Sequence, residues 1–99
     1  MERIKSACVR CQRKETKNFN YATGYDHSSC YDYLVRDLGT NPQYDSRYDV
    51  EEGFILENGE FVDRMKAMQI AKEAGQLVDI YQDGDYPLLY SYMVNYRKR

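Results

Sequence analysis

Alternation of apolar and polar positions over residues 4–10, IKSACVR, predicts a β-strand with Ile4, Ser6 and Cys8 on one face and Lys5, Ala7 and Val9 on the other. Residues 12–18 are polar and predict a turn, after which 19–23 return as a second strand and 24–26 lead into a helix over 28–38. Tyr31, Leu34, Val35 and Leu38 recur there at helical spacing, Asp32 and Arg36 form an exposed pair, and Gly39 ends the run. Residues 40–52, TNPQYDSRYDVEE, carry turn chemistry and read as a loop.

The second half is more legible. Asn58-Gly59 lies between apolar runs, a strong hairpin signal, because a type I′ turn needs positive φ at both central residues. Residues 54–57 then pair with 60–62, setting Leu56 opposite Phe61 and Ile55 opposite Val62. Asp63 can cap a helix with the apolar stripe Ala67, Ile70, Ala71 and Ala74, and Gly75 can end it in the left-handed conformation. Residues 77–81 read as a short strand, broken at 83–85 and at Pro87. The closing LLYSYMVNY reads as a strand or an interface arm.

Together these elements predict an α+β fold: two hairpin-helix units, 1–39 and 53–76, around a small antiparallel sheet, joined by 40–52 and followed by a Tyr-rich tail, 77–99. The 99 residues fit one domain with a modest core. Large aliphatics are sparse and eleven tyrosines take their place, which favours a homo-oligomer. A net charge of −2 argues against a general binder of nucleic-acid polymers, although Arg97, Lys98 and Arg99 leave a basic end that reads equally as a solvated terminus. No apolar window spans a membrane, and MERIKSACVR lacks an apolar signal core, so a soluble, unexported chain is expected. Three cysteines, an odd number, fit a reducing, cytoplasmic compartment.

Two chemistries compete. Cys8, Cys11, His27 and Cys30 have ligand types and spacing suited to tetrahedral zinc. Against this, residues three apart on a strand face opposite sides, and no glycine helps Val9 and Arg10 bend into a knuckle; a packed thiol at Cys8 and a hydrogen-bonded His27 are the structural alternative. No nucleophile motif, Gly-rich phosphate loop or paired-carboxylate pattern points to catalysis or to a cofactor. A nucleotide binder needs an aromatic face, a cation or backbone N–H groups, and polar groups for hydroxyls. Phe54 or Phe61 could stack, Asn58 could bind hydroxyls, and Arg64 could meet phosphate at a helix start; core packing for Phe61, turn chemistry for Asn58 and a solvated arginine for Arg64 are the alternatives. A cation at a helix start opposes the dipole, which makes Arg64 the most informative of these. Tyr25 and His27 could approach the same ligand from a partner subunit, with Tyr92, Asn95 and Arg97 in reserve.

The stretch GF…NGEFVDR…A…IA…AGQ over 53–76 resembles the signature of the Thoeris anti-defence sponge family of phages. The opening strand, with Gly24, His27 and Cys30 in GYDHSSC, adds to the likeness, whereas Asp26, Ser28 and Ser29 depart from the family's Gly-x-Arg-His-His-Asp-Cys-like stretch. The resemblance implies a non-enzymatic phage protein in the host cytoplasm, binding a cyclic ADP-ribose isomer, and for some members cyclic oligonucleotides, at subunit interfaces without cleavage. It also accounts for His27 and Cys30 without metal. Asp26 in place of an arginine would repel a phosphate beside it. The alternative function is a small zinc-bound interaction module that inhibits a host enzyme by direct contact.

Overall fold

Two hairpins, each running directly into an aspartate-capped helix, build the molecule in the computed structural model, which describes residues 1–98. Strands β1 (Ile4–Arg13) and β2 (Phe19–Gly24) form the first hairpin, and β3 (Tyr48–Leu56) and β4 (Phe61–Asp63) the second. Antiparallel pairing of β1 with β3 joins them into one sheet of order β2-β1-β3-β4. Helices α1 (His27–Leu38) and α2 (Arg64–Glu73) cover one face: Cys30, Leu34, Ala67, Ile70 and Ala71 share a buried cluster with Ala7, Val9, Phe54 and Val62. The fold is α+β, as the pattern predicts. Asp26 caps α1 by accepting from the Ser29 N–H at 2.8 Å, and Asp63 caps α2 by accepting from the Lys66 N–H at 2.8 Å. The alanine stripe of α2 is buried as expected, and Gly75 beyond it has φ +69°.

Five details depart from the sequence reading. A register shift between Ile4 and Ser6 makes a bulge at Lys5, so Ile4 joins Ala7, Val9 and Cys11 on the helix side while Ser6, Cys8 and Arg10 share the opposite sheet face, where Cys8 is still buried. Val35 is 39% exposed and lies off the buried stripe of α1, which runs through His27, Cys30 and Leu34. The loop ends at 47, because Tyr48 to Leu56 form a full strand; its period-2 pattern is masked by Glu52, a polar residue on the inner face. The second hairpin has a three-residue loop. Only Gly59 takes positive φ there, Asn58 Oδ1 accepts from the Glu60 N–H, and Phe54 pairs with Val62 and Ile55 with Phe61. That one-residue change buries Phe54, Leu56 and Val62 and turns Ile55 and Phe61 outward. Finally, 79–82 form a short helix, α3 (Asp79–Gln82), and the tail makes a 3₁₀ turn at Ser91–Met93.

The tail is held by one side chain. Pairing of β2 with β1 stops at Gly24 opposite Ala7, which leaves Ile4 without a strand on that flank. Gln76, fully buried, fills the gap: its Oε1 accepts from the Ile4 N–H at 2.7 Å and its Nε2 donates to the Ile4 carbonyl at 2.9 Å. The Gln76 carbonyl accepts from the Asn95 N–H at 2.8 Å, Leu77 bridges Val94, and the Val78 N–H donates to the Met93 carbonyl. Leu89, Met93 and Val94 are thereby buried in the protomer's own core. Arg97 and Lys98 of the basic end follow this seam; Arg99 lies outside the described residues.

An orphaned buried backbone group costs about 1–3 kcal/mol. Gln76→Leu strands two, and urea denaturation is expected to show a loss of at least about 2 kcal/mol. Gln76→Glu keeps the acceptor but sets a buried carboxyl group against the Ile4 carbonyl, so it is not expected to restore the natural stability. An unchanged midpoint for Gln76→Leu would mean the amide is dispensable.

Candidate functional site

The junction between β2 and α1, the start of α2 and the tail enclose a cleft of about 400 Å³. Tyr25, Asp26, His27 and Ser28 line it from the junction, Arg64 from α2, and Tyr90, Ser91 and Tyr92 from the tail. Tyr25 is 74% exposed and Tyr92 66%. The Tyr90 and Tyr92 rings stack at 5.7 Å with 9° between planes, and the Arg64 guanidinium lies 4.6 Å from the Tyr90 centroid.

A charge network beneath the cleft fixes its floor. Arg64 Nη2 donates to Glu52 Oε1, and the Tyr31 hydroxyl donates to Glu52 Oε2 at 2.5 Å. Glu52 is therefore the inner-face residue of β3 that ties α1 to α2. Burial and the bond to Glu52 push the Tyr31 phenol upward, so it stays a donor. Arg64 Nε is buried with no hydrogen-bond partner among the described residues. The cation at the helix start thus has a structural anchor through Nη2 and, at Nε, a buried N–H that this anchor leaves unpaired.

His27 is buried at the back, where Nε2 donates to the Gly53 carbonyl at 2.8 Å and the ring meets Phe54 edge-on at 5.1 Å. Burial, and next the nearby Arg64 charge, lower its pKa from the usual 6.5; the Gly53 bond, Glu52 and Asp26 oppose this. Gly53 itself is required, since a Cβ there would sit 2.3 Å from the Val62 carbonyl and 2.6 Å from the Phe61 ring.

Of the residues singled out from sequence, Tyr25, His27 and Arg64 meet in this cleft within one chain, whereas Tyr25 and His27 were expected to arrive from a partner subunit. Phe54 is a core residue behind His27, fully buried and unable to stack on a ligand. Asn58 serves the hairpin turn at the far end of β3, and Phe61 lies on the opposite sheet face, where the Arg10 guanidinium sits 4.3 Å from its ring centroid. Turn chemistry accounts for Asn58; core packing, the alternative for Phe61, does not hold there, and it is Phe54 that packs in the core. Tyr90 and Ser91 were missed: LLYSYMVNY has no clean period, and the Gln76 seam that folds it back is invisible locally. The reserve residues divide, with Tyr92 in this cleft and Asn95 and Arg97 in a neighbouring one.

The zinc set does not assemble. Cys8 lies buried on the sheet face away from the helices and Cys11 on the helix side, Cys30 Sγ lies 3.6 Å from the Ala7 carbonyl, and His27 Nε2 is committed to Gly53. Burial, the main cause, holds the Cys8 thiol up at about 12 and the Cys30 thiol at about 11, opposing the thiolates zinc needs. Among the described residues, no group of three or more His, Cys, Asp and Glu could hold a metal ion.

A family model described as phage T4 y16D protein matches residues 3–94, a span that includes every residue lining this cleft. The chain belongs to that phage protein family. No curated protein and no solved structure gave a significant match. Among the described residues no helix is long and apolar enough to cross a membrane.

The lowered His27 pKa sets a pH dependence. Between the folded value and 6.5 the unfolded chain binds the extra proton, so stability rises with pH in that window and is lost as pH falls below about 6.5. Melting temperatures from pH 7.5 down to 5 are expected to fall more steeply for the natural chain than for His27→Gln. Parallel profiles would remove His27 as the source.

Proposed function

We propose that this phage protein is a non-catalytic binder that captures a host signalling nucleotide, a cyclic ADP-ribose isomer, in the cleft between Tyr25, Arg64 and the Tyr90–Tyr92 pair. The observation that carries this reading is the stacked, exposed tyrosine pair with the Arg64 guanidinium over one of its rings at the cleft wall. Rings supply a stacking surface for a base, Arg64 a donor for phosphate or ribose oxygens, and Ser28 and Ser91 neutral hydroxyls. The single imidazole of the cleft is engaged by a backbone carbonyl, which suits a wall better than a general base. The resemblance of residues 53–76 to anti-defence sponges supplies the ligand class. Such a protein acts by stoichiometric capture, which needs abundance and slow release rather than turnover.

A homo-oligomer belongs to the same proposal. The sheet face opposite the helices exposes Phe19 at 49% and Tyr21 at 51%, with Arg10 between the Phe19 and Phe61 rings. That face also favours a second reading, inhibition of a host enzyme by direct contact, without zinc.

Binding only the folded state at 100 times Kd adds about 2.7 kcal/mol. Cyclic ADP-ribose isomers are therefore expected to raise the melting temperature by several degrees and to be recovered intact by chromatography after heating. Tyr92→Ala, which removes an exposed ring, should weaken binding about tenfold or more, since a stacked base contributes about 1–3 kcal/mol. Altered ligand would make the protein an enzyme. No shift with any isomer would favour the direct-contact reading.

A further inference from the structure

A second cleft, of about 460 Å³, lies on the other side of Tyr25, lined by Lys5, Ser6 and Gly24 from the sheet and by Asn95, Tyr96 and Arg97 from the tail. Tyr25 lines both, so one exposed ring divides two adjoining cavities. Their charges differ. The first holds Arg64, already paired with Glu52, together with the Asp26 carboxylate. The second is lined by two cations and no carboxylate, and among the described residues neither Lys5 nor Arg97 forms an ion pair.

The backbone accounts for the second cleft independently of any ligand. Lys5 occupies the β-bulge of β1, the one interruption in its register with β3, and bulges re-aim side chains out of the alternating pattern. Arg97 is presented by an Asx turn, its N–H donating to Asn95 Oδ1 at 3.1 Å, just beyond the Gln76 seam. Tyr96 anchors the wall: its hydroxyl donates to the Tyr25 carbonyl at 2.9 Å and its ring meets Tyr25 edge-on at 5.5 Å. Two segments more than ninety residues apart in sequence thus bring uncompensated cations beside a tyrosine wall. A cavity lined by two cations and no carboxylate has a positive potential that favours an anion.

We propose that the Lys5–Arg97 cleft is the phosphate subsite of one binding groove, and that a ligand lies across Tyr25 with its base against Tyr90 and Tyr92 and its phosphates between Lys5 and Arg97. The base-side half of this assignment rests on the function proposed above; the anion subsite stands on its own charge and geometry. It also removes the difficulty of Asp26, which a phosphate in the first cleft would face at close range.

Two titrations test this, cyclic ADP-ribose by calorimetry and inorganic pyrophosphate by ³¹P NMR, on the natural chain, on Lys5→Met/Arg97→Met and on Tyr92→Ala. Both cations are exposed, so the double variant is expected to keep the natural melting temperature. Cyclic ADP-ribose should bind the natural chain with an affinity that falls as salt rises, and the double variant at least tenfold more weakly with a flatter salt dependence. Tyr92→Ala should lose affinity with the salt dependence intact. Pyrophosphate should shift its resonance with the natural chain and Tyr92→Ala but not with the double variant. Binding of cyclic ADP-ribose that is the same in the double variant would overturn the phosphate subsite while leaving the function standing. Absence of cyclic ADP-ribose binding with a pyrophosphate shift would overturn that function and retain the anion subsite; absence of both would overturn both.

Discussion

Gln76 stands in for a missing strand. β2 leaves the flank of β1 at Ala7, and the next backbone pair needing partners, the Ile4 N–H and carbonyl, is met by one buried carboxamide with an acceptor and a donor in the right order. The same residue receives the tail through its own carbonyl, so sheet edge, helix end and tail are closed at a single point. Both clefts have a wall made by this tail, Tyr90 to Tyr92 on one side and Asn95 to Arg97 on the other. Loss of the amide would therefore reach both clefts as well as the core.

Glu52 has the corresponding role under the sheet's helical face. A carboxylate half-buried between two helices would be costly alone, but Arg64 and the Tyr31 hydroxyl occupy both its oxygens. The pair orients Arg64 so that its guanidinium lies over Tyr90. Arg64 is consequently better suited to shaping and donating than to neutralising a ligand. With side chains 24% exposed on both partners, the ion pair's main contribution is to geometry rather than to stability.

Much of the fold was legible because local signals agreed with it. The Asp63 cap, Gly39 and Gly75 as stops, and the alanine stripe of α2 each have one physical meaning, and each appears where the pattern put it; the matching Asp26 cap was not foreseen. The failures have physical sources. Asn58-Gly59 marks a hairpin, but whether one or both residues take positive φ decides a two- or three-residue loop, and that choice exchanges the faces of Phe61 and Val62. β3 was hidden because Glu52 occupies an inner position for the sake of Tyr31 and Arg64, contacts distant in sequence. In the cleft, Tyr25, His27 and Arg64 were accessible through their places at helix starts, while Tyr90 and Ser91 depend on a tail path set by the Gln76 amide. Phe61 and Phe54 drew attention as aromatics near a turn, and only the register tells an outward ring from a core one.

The two caps constrain where an anion can go. A helix N-terminus attracts phosphate when its first amides are free. Asp26 takes the Ser29 N–H and Asp63 the Lys66 N–H, each with a carboxylate that already answers the helix dipole. The capped hairpin-helix plan thus closes the first-turn anion site in both halves of the molecule. Recognition of a phosphorylated ligand then falls to side-chain cations, and of those beside the clefts Arg64 is compensated by Glu52 whereas Lys5 and Arg97 have no carboxylate lining their cavity. On the proposed assignment Asp26 can cap α1 at the rim without opposing a ligand, because the phosphates of that ligand would lie on the far side of Tyr25.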